Sequence, residues 1–198
     1  MFFSNRGFLK GDVLDIGGGW GLFREWWQPH RPGVYLVHDP GIERFCNGPS
    51  GLHLQLYSRA FSRPMTFVEG FGEILPYKNN IFDTCLVAAT LDHCVDPSRV
   101  IKEAVRCLKV GGNLLIIQSF YDNDKDEIRT KPYDRSKFLN QPRRLIRVIY
   151  KRLFHADHHL HRFKSEDMSN LLSKTGYSYT INTIPDIKNV YALELLKK

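Results

Sequence analysis

Short apolar runs alternate along this chain with longer stretches of helical periodicity. The runs "DVLDI" (12–16), "GVYLVHD" (33–39), "MTFVEG" (65–70), "FDTCLVAAT" (82–90) and "GNLLIIQS" (112–119) predict strands. Several are apolar without alternation, the pattern of strands buried on both faces, so the sheet is expected to be mostly parallel. Between them, Trp20, Phe23 and Trp27 recur at helical spacing, and Val100, Ile101, Ala104, Val105 and Leu108 form an apolar face ended by Gly111-Gly112. These predict crossover helices in a βα alternation. "KSEDMSNLLSKTG" (164–176) predicts a further helix, with Ser165 as N-cap, Asp167 in the first turn and Gly176 as C-cap. The tail 177–196 reads as two strands around a Pro-Asp turn, an antiparallel edge hairpin.

One stretch breaks the alternation. Residues 120–163 are polar at first, then turn amphipathic at "RRLIRVIYKRLF" (143–154), where Leu145, Ile149 and Leu153 share a face. A basic helical lid insertion at about 120–163 is expected within one domain spanning 1–198. The net charge of +7 sits here: residues 129–164 carry 11 Lys/Arg against Asp134 and Asp157, a local +9, and the rest sums to −2. So local a focus is unlike the extended basic stripe of a nucleic-acid backbone binder, and nucleic acid is not the expected partner.

At 198 residues, 42% hydrophobic and 25% charged, the proportions are globular. No run approaches the roughly 20 apolar residues of a membrane span, and residues 1–12 lack a signal-peptide core, so a cytoplasmic protein is expected. Cys46, Cys85, Cys94 and Cys107 form no C-x-x-C pair and are expected to be reduced. His155 and His159 have a helical zinc-ligand spacing, yet no cysteine or glutamate completes a set, so no metal is expected.

The most informative stretch is "DVLDIGGGWGLF" (12–23). A buried parallel strand running into glycines and then a helix offers backbone N–H groups and a positive dipole end to a closely approaching ligand, although an ordinary tight turn looks similar. A dinucleotide fingerprint begun at Gly17 would need glycine where Leu22 stands, and the Gly-Lys-Ser/Thr of a Walker loop is missing.

What stands there is Asp15-x-Gly17-x-Gly19-x-Gly21, and with it the sequence resembles the class I S-adenosylmethionine-dependent methyltransferases. The likeness continues through Asp39 at the end of the second predicted strand and through Leu75-Pro76-Tyr77, Phe82-Asp83, Leu91-Asp92-His93, Asp96-Pro97, Leu108 and Gly111-Gly112. These are in register with the small-molecule subgroup that includes the ubiquinone and menaquinone methyltransferases. About residues 10–119 and 161–196 are covered. The resemblance implies a three-layer, Rossmann-like α/β fold with a seven-stranded sheet, and S-adenosyl-L-methionine as cofactor. It implies cofactor contacts at Asp15, Gly17, Gly18, Gly19, Gly21, Asp39, Pro40, Phe71, Gly72 and Ala88, with Asp39 receiving both ribose hydroxyls and Asp15 bracing the loop and the cofactor's amino group. Where the subgroup commonly has Gly-Asp-Ala, this chain has Gly70-Phe71-Gly72, so Phe71 is expected to stack on the adenine instead, with core packing as the structural alternative.

Asp92 and His93, just past the fourth strand, stand where the family's acceptor approaches, and His93 is the candidate general base. Capping or packing is the structural alternative for His93. The chain reads "AATLDH" where amino-group methylating relatives carry Asn/Asp-Pro-Pro-aromatic, which favours an oxygen or carbon acceptor. The basic helix 143–154 points to an anionic small-molecule, lipid-linked or glycan-like acceptor, or to peripheral membrane contact, with a solvated face as the plain alternative. Two further readings stay open. One is an interaction protein that keeps the fold without the chemistry, and the other is an RNA methyltransferase, supported by the basic segment alone.

Overall fold

The computed structural model of this protein describes residues 9–29, 33–41, 48–122, 160–184 and 189–198. The helix expected at 143–154, His155, His158, His159 and the turn expected at Pro185-Asp186 fall outside the described residues.

Within them the chain runs β1 (Val13–Ile16), β2 (Tyr35–Asp39), α1 (Gly51–Leu56), α2 (Ser58–Ser62), β3 (Thr66–Glu69), β4 (Phe82–Ala88), α3 (Pro97–Cys107), β5 (Leu108–Ser119), α4 (Ser165–Ser173), β6 (Tyr179–Thr183) and β7 (Val190–Leu196). The strands form one seven-stranded sheet in the order β3-β2-β1-β4-β5-β7-β6. β3, β2, β1, β4 and β5 are parallel, and the β6–β7 hairpin joins β5 antiparallel through β7. The expected sheet and edge hairpin are therefore present.

All four residues of β1 are buried, as the unalternating sequence requires. Leu14 and Ile16 face a core shared with Val100, Ile101 and Ala104 of α3 and Met168 and Leu172 of α4. Val13 lies in the core on the other face with Leu9, Trp27, Tyr35 and Val37. Pairing of Asp15 with Val37 and Leu86, and of Ile16 with His38 and Val87, brings the ends of β1, β2 and β4 level. Ligand clefts in parallel sheets form at such carboxyl ends, where the strand order reverses.

Three local expectations are corrected. The glycine loop feeds a five-residue 3-10 turn, Leu22–Trp26, in place of a longer helix through Trp27. The Trp27 indole N–H donates to Gly11 O (2.8 Å) and Gln28 N–H to Leu9 O (2.7 Å), so the chain is already back at the start of β1. Second, α3 stops at Cys107, and Leu108 goes straight into β5. Gly111-Gly112 instead occupies the register shift between β4 and β5, where a Cβ on Gly112 would lie 2.8 Å from Lys109 O. Third, the cap of α4 is Lys164, one residue earlier than expected, because the Ser165 hydroxyl and N–H both donate to Asp122 (3.0 and 2.7 Å). Gly176, at φ +75°, lies two residues beyond the C-cap Lys174.

Candidate functional site

The turn after β1 is built from glycines that serve different neighbours. Gly17 continues the ladder by donating to His38 O (2.8 Å), and a Cβ there would fall 2.3 Å from Thr90 Cγ2. The Thr90 hydroxyl donates to Ala88 O (3.0 Å) with Ile16 O at 3.2 Å, which ties the end of β4 to the end of β1. Under Gly18 lies the Asp15 carboxylate, 2.3–2.6 Å from where a Cβ would be. Gly21 packs on Val37. Gly19 differs: nothing lies within 4 Å of its Cβ position, and its N–H donates to Asp39 Oδ2 at 3.0 Å. Three of the four loop glycines thus make room for the protein's own side chains, and one opens outward.

Asp39 is half-buried, and its other oxygen accepts Gly41 N–H at 2.7 Å. Pro40 beside it is exposed. Asp15 is fully buried. Tyr35 O–H donates to its Oδ2 (2.7 Å), while Oδ1 has no hydrogen-bond partner among the described residues. Burial pushes this carboxyl up to about 7, against the Tyr35 hydrogen bond, which favours the charged form. Buried Arg24 completes the underside of the loop. Its guanidinium donates to Gly21 O (3.1 Å), Trp20 O (3.2 Å) and Arg63 O (2.8 Å).

The turn after β3 closes over the same strand ends. A Cβ on Gly72 would lie 2.7 Å from Ile16 Cγ2, and Gly70 N–H donates to Asp39 O (3.3 Å). Phe71 between them is 67% exposed, so it is not a core residue. Past β4, Ala88 is half-buried, and Ala89 takes φ +49° in a left-handed conformation that costs a residue with a Cβ about 1–2 kcal/mol. Asp92 is buried and His93 exposed, with His93 Nε2 3.9 Å from Asp92 Oδ1.

Two other segments hold that turn. Glu73 Oε1 accepts Val95 N–H (2.8 Å), and the segment entering α4 donates Leu160 and His161 N–H to Asp92 O (2.6 and 3.1 Å) and His161 Nε2–H to Cys94 O (2.9 Å). The residues singled out in the sequence at the ends of β1, β2 and β4 and in the turn after β3 thus gather at the carboxyl ends of the parallel strands. Sequence reasoning missed Arg24, Tyr35, His38, Glu73 and Thr90. Their partners lie up to 74 positions away along the chain, and no local pattern announces such contacts. Among the described residues no three metal-ligating side chains gather, and no helix is long and apolar enough to cross a membrane.

The family described as "Methyltransferase domain" matches residues 14–116, and this chain belongs to it. Over 132 residues the chain is 29% identical to the ubiquinone/menaquinone biosynthesis C-methyltransferase of Hahella chejuensis, a match covering 66% of this chain and 51% of that protein. Over 101 residues it is 32% identical to the chloroplastic 2-methyl-6-phytyl-1,4-hydroquinone methyltransferase 2 of Oryza sativa subsp. japonica, covering 50% and 27%. The chain spans about half the length of the first of these relatives. A methyltransferase structure from Aquifex aeolicus, described as SAM dependent, superposes with a TM-score of 0.58 at 14% identity, covering 96% of this chain and 84% of that one. An O-methyltransferase family protein from Burkholderia thailandensis gives a TM-score of 0.61 at 14% identity, covering 100% and 53%. These two likenesses show the class I methyltransferase fold. The cofactor of this family and fold is S-adenosyl-L-methionine.

Proposed function

We propose that this chain acts as one methyltransferase domain that moves the methyl group of S-adenosylmethionine to oxygen or carbon of a small, hydroquinone-like acceptor. The observation that carries the reading is the Gly19 N–H to Asp39 bond at 3.0 Å, which sets a half-buried carboxylate against the one loop glycine that opens outward. Each Asp39 oxygen accepts one backbone N–H and keeps lone pairs for a ribose hydroxyl. The unpartnered Oδ1 of buried Asp15 is a fitting acceptor beneath the loop for an ammonium group, directly or through water. Phe71 offers an exposed ring to the adenine.

When bound, the cofactor supplies a methyl group on a sulfonium, open to displacement at carbon. The chain's part is alignment: Gly17, Gly18, Gly19 and Gly21 shape the floor, Asp39 and Pro40 the ribose side, Phe71 and Gly72 the base side, and Ala88 the wall toward the acceptor. His93 takes a proton from an acceptor hydroxyl, with the Asp92 carboxylate 3.9 Å from its Nε2 as counter-charge. The names of the Hahella and Oryza relatives support a quinone-like acceptor.

Calorimetric titration with S-adenosylmethionine and S-adenosylhomocysteine tests the reading. The wild type binds both, and Asp39→Ala weakens binding by about 1.5–3 kcal/mol, the range for a lost charged hydrogen bond. Methyl transfer to demethylated hydroquinones should follow, and His93→Gln should lower its rate while leaving cofactor affinity unchanged. A wild type that binds neither sulfonium nor thioether ends the proposal.

A further inference from the structure

His38 precedes Asp39 in β2, so its side chain points to the opposite face of the sheet, away from the ribose side. The ring is 1% exposed and lies directly under the turn after β3, where a Cβ on Gly70 would stand 2.7 Å from both Cε1 and Nε2. Both ring nitrogens are used: Nε2 is 3.3 Å from Phe71 O and Nδ1 2.9 Å from Tyr77 Oη. A carbonyl only accepts, so Nε2 carries the hydrogen, and the neutral ring receives the Tyr77 O–H at Nδ1. Burial lowers the His38 pKa, against the Phe71 carbonyl and the Asp39 carboxylate, and pushes the Tyr77 hydroxyl up to about 12, so Tyr77 keeps its proton. Tyr77 is fixed in turn by Arg106, which donates to its carbonyl at 2.6 Å, and by edge-on contact with Phe82 at 5.5 Å.

The Phe71 carbonyl also accepts Ile74 N–H (3.1 Å), so both its lone pairs are drawn into the protein while the Phe71 ring faces out. We propose that His38 is a positioning residue for the nucleobase: by holding the Phe71 carbonyl inward, with its other ring nitrogen satisfied by Tyr77, it keeps the Phe71 ring at the mouth of the cleft. The inference rests on the reading of this cleft as the S-adenosylmethionine site. A histidine that only filled the core would need neither nitrogen, and an apolar side chain of similar size would replace it.

The test compares S-adenosylhomocysteine with S-ribosylhomocysteine, the same ligand without its base, by calorimetry and ligand-observed NMR. His38→Leu should weaken S-adenosylhomocysteine about 10-fold and leave S-ribosylhomocysteine unchanged. His38→Gln, whose amide can donate to the Phe71 carbonyl, should stay within about 3-fold of wild type. Tyr77→Phe leaves the buried Nδ1 without its hydrogen-bond partner and the ring free to turn from the Phe71 carbonyl, so it should show the same base-dependent loss, which keeps the test open if His38→Leu fails to fold. Equal losses for both ligands, or wild-type affinity in His38→Leu and Tyr77→Phe, overturn the inference. If Asp39→Ala weakens binding while the His38 and Tyr77 variants do not, the cofactor site stands and only the role of His38 falls.

Discussion

At Gly17 a methyl group would land 2.3 Å from Thr90 Cγ2, whereas at Gly19 it would meet nothing within 4 Å, and both residues have positive φ. Gly17→Ala should therefore add overpacking, about 1–3 kcal/mol, to a backbone penalty of about 1–2 kcal/mol. Gly19→Ala should carry the backbone penalty alone while weakening cofactor binding, and equal losses of stability in urea unfolding would remove the distinction. Asp15 makes a pH prediction. Its folded-state pKa is raised to about 7 from 3.8, so between these values the folded chain holds a proton that the unfolded chain has released. Stability of the ligand-free protein therefore falls as pH rises through this window. Asp15→Asn, which keeps an oxygen for Tyr35, should raise the unfolding temperature at pH 8, with the gain shrinking by pH 5. The same change should weaken S-adenosylmethionine binding at pH 8, and a variant as stable as wild type at both pH values would show that Asp15 carries no burial cost.

Among the elements, α3 was legible because its apolar face repeats with the helical period, while its start at Asp96-Pro97 was read only as part of the family likeness. The Asp96 carboxylate accepts Arg99 N–H at 3.1 Å. Asp96→Ala should cost about 1 kcal/mol. Ile101→Ala, which opens a cavity against the sheet, should cost about 2–5 kcal/mol, and denaturant midpoints order the two. The end of α3 was misread because Gly111-Gly112 resembles a helix stop, and only the pairing of β5 with β4 shows these glycines in a register shift. The segment after the glycine loop was misread for a related reason. Trp20, Phe23 and Trp27 are spaced as a helix face, but Arg24 is drawn beneath the loop by carbonyls at 20, 21 and 63, and the chain turns back after five 3-10 residues. Spacing of three and four suits a short tight turn as well as a helix.

For the molecule as a whole, binding and stability are linked. S-adenosylhomocysteine at 100 times its dissociation constant should stabilise the wild type by about 2.7 kcal/mol, a rise of roughly 5–10 °C in unfolding temperature. Asp39→Ala at the same concentration should show a much smaller rise, and an equal rise in both would place the ligand elsewhere. The sequence alone determined that the sheet is mostly parallel, that a hairpin closes one edge, and that a glycine loop and two aspartates belong to strand ends, because burial on both faces and turn chemistry leave local traces in composition and period. Tertiary structure alone decided which glycine opens outward, that Asp15 is buried against Tyr35, and that Thr90, His38 and Glu73 bind three separate turns into one rim. Those facts depend on which strands become neighbours and in what register. A hydrogen bond between residues 20 to 74 positions apart is set by that packing and leaves no mark on the residues beside either partner.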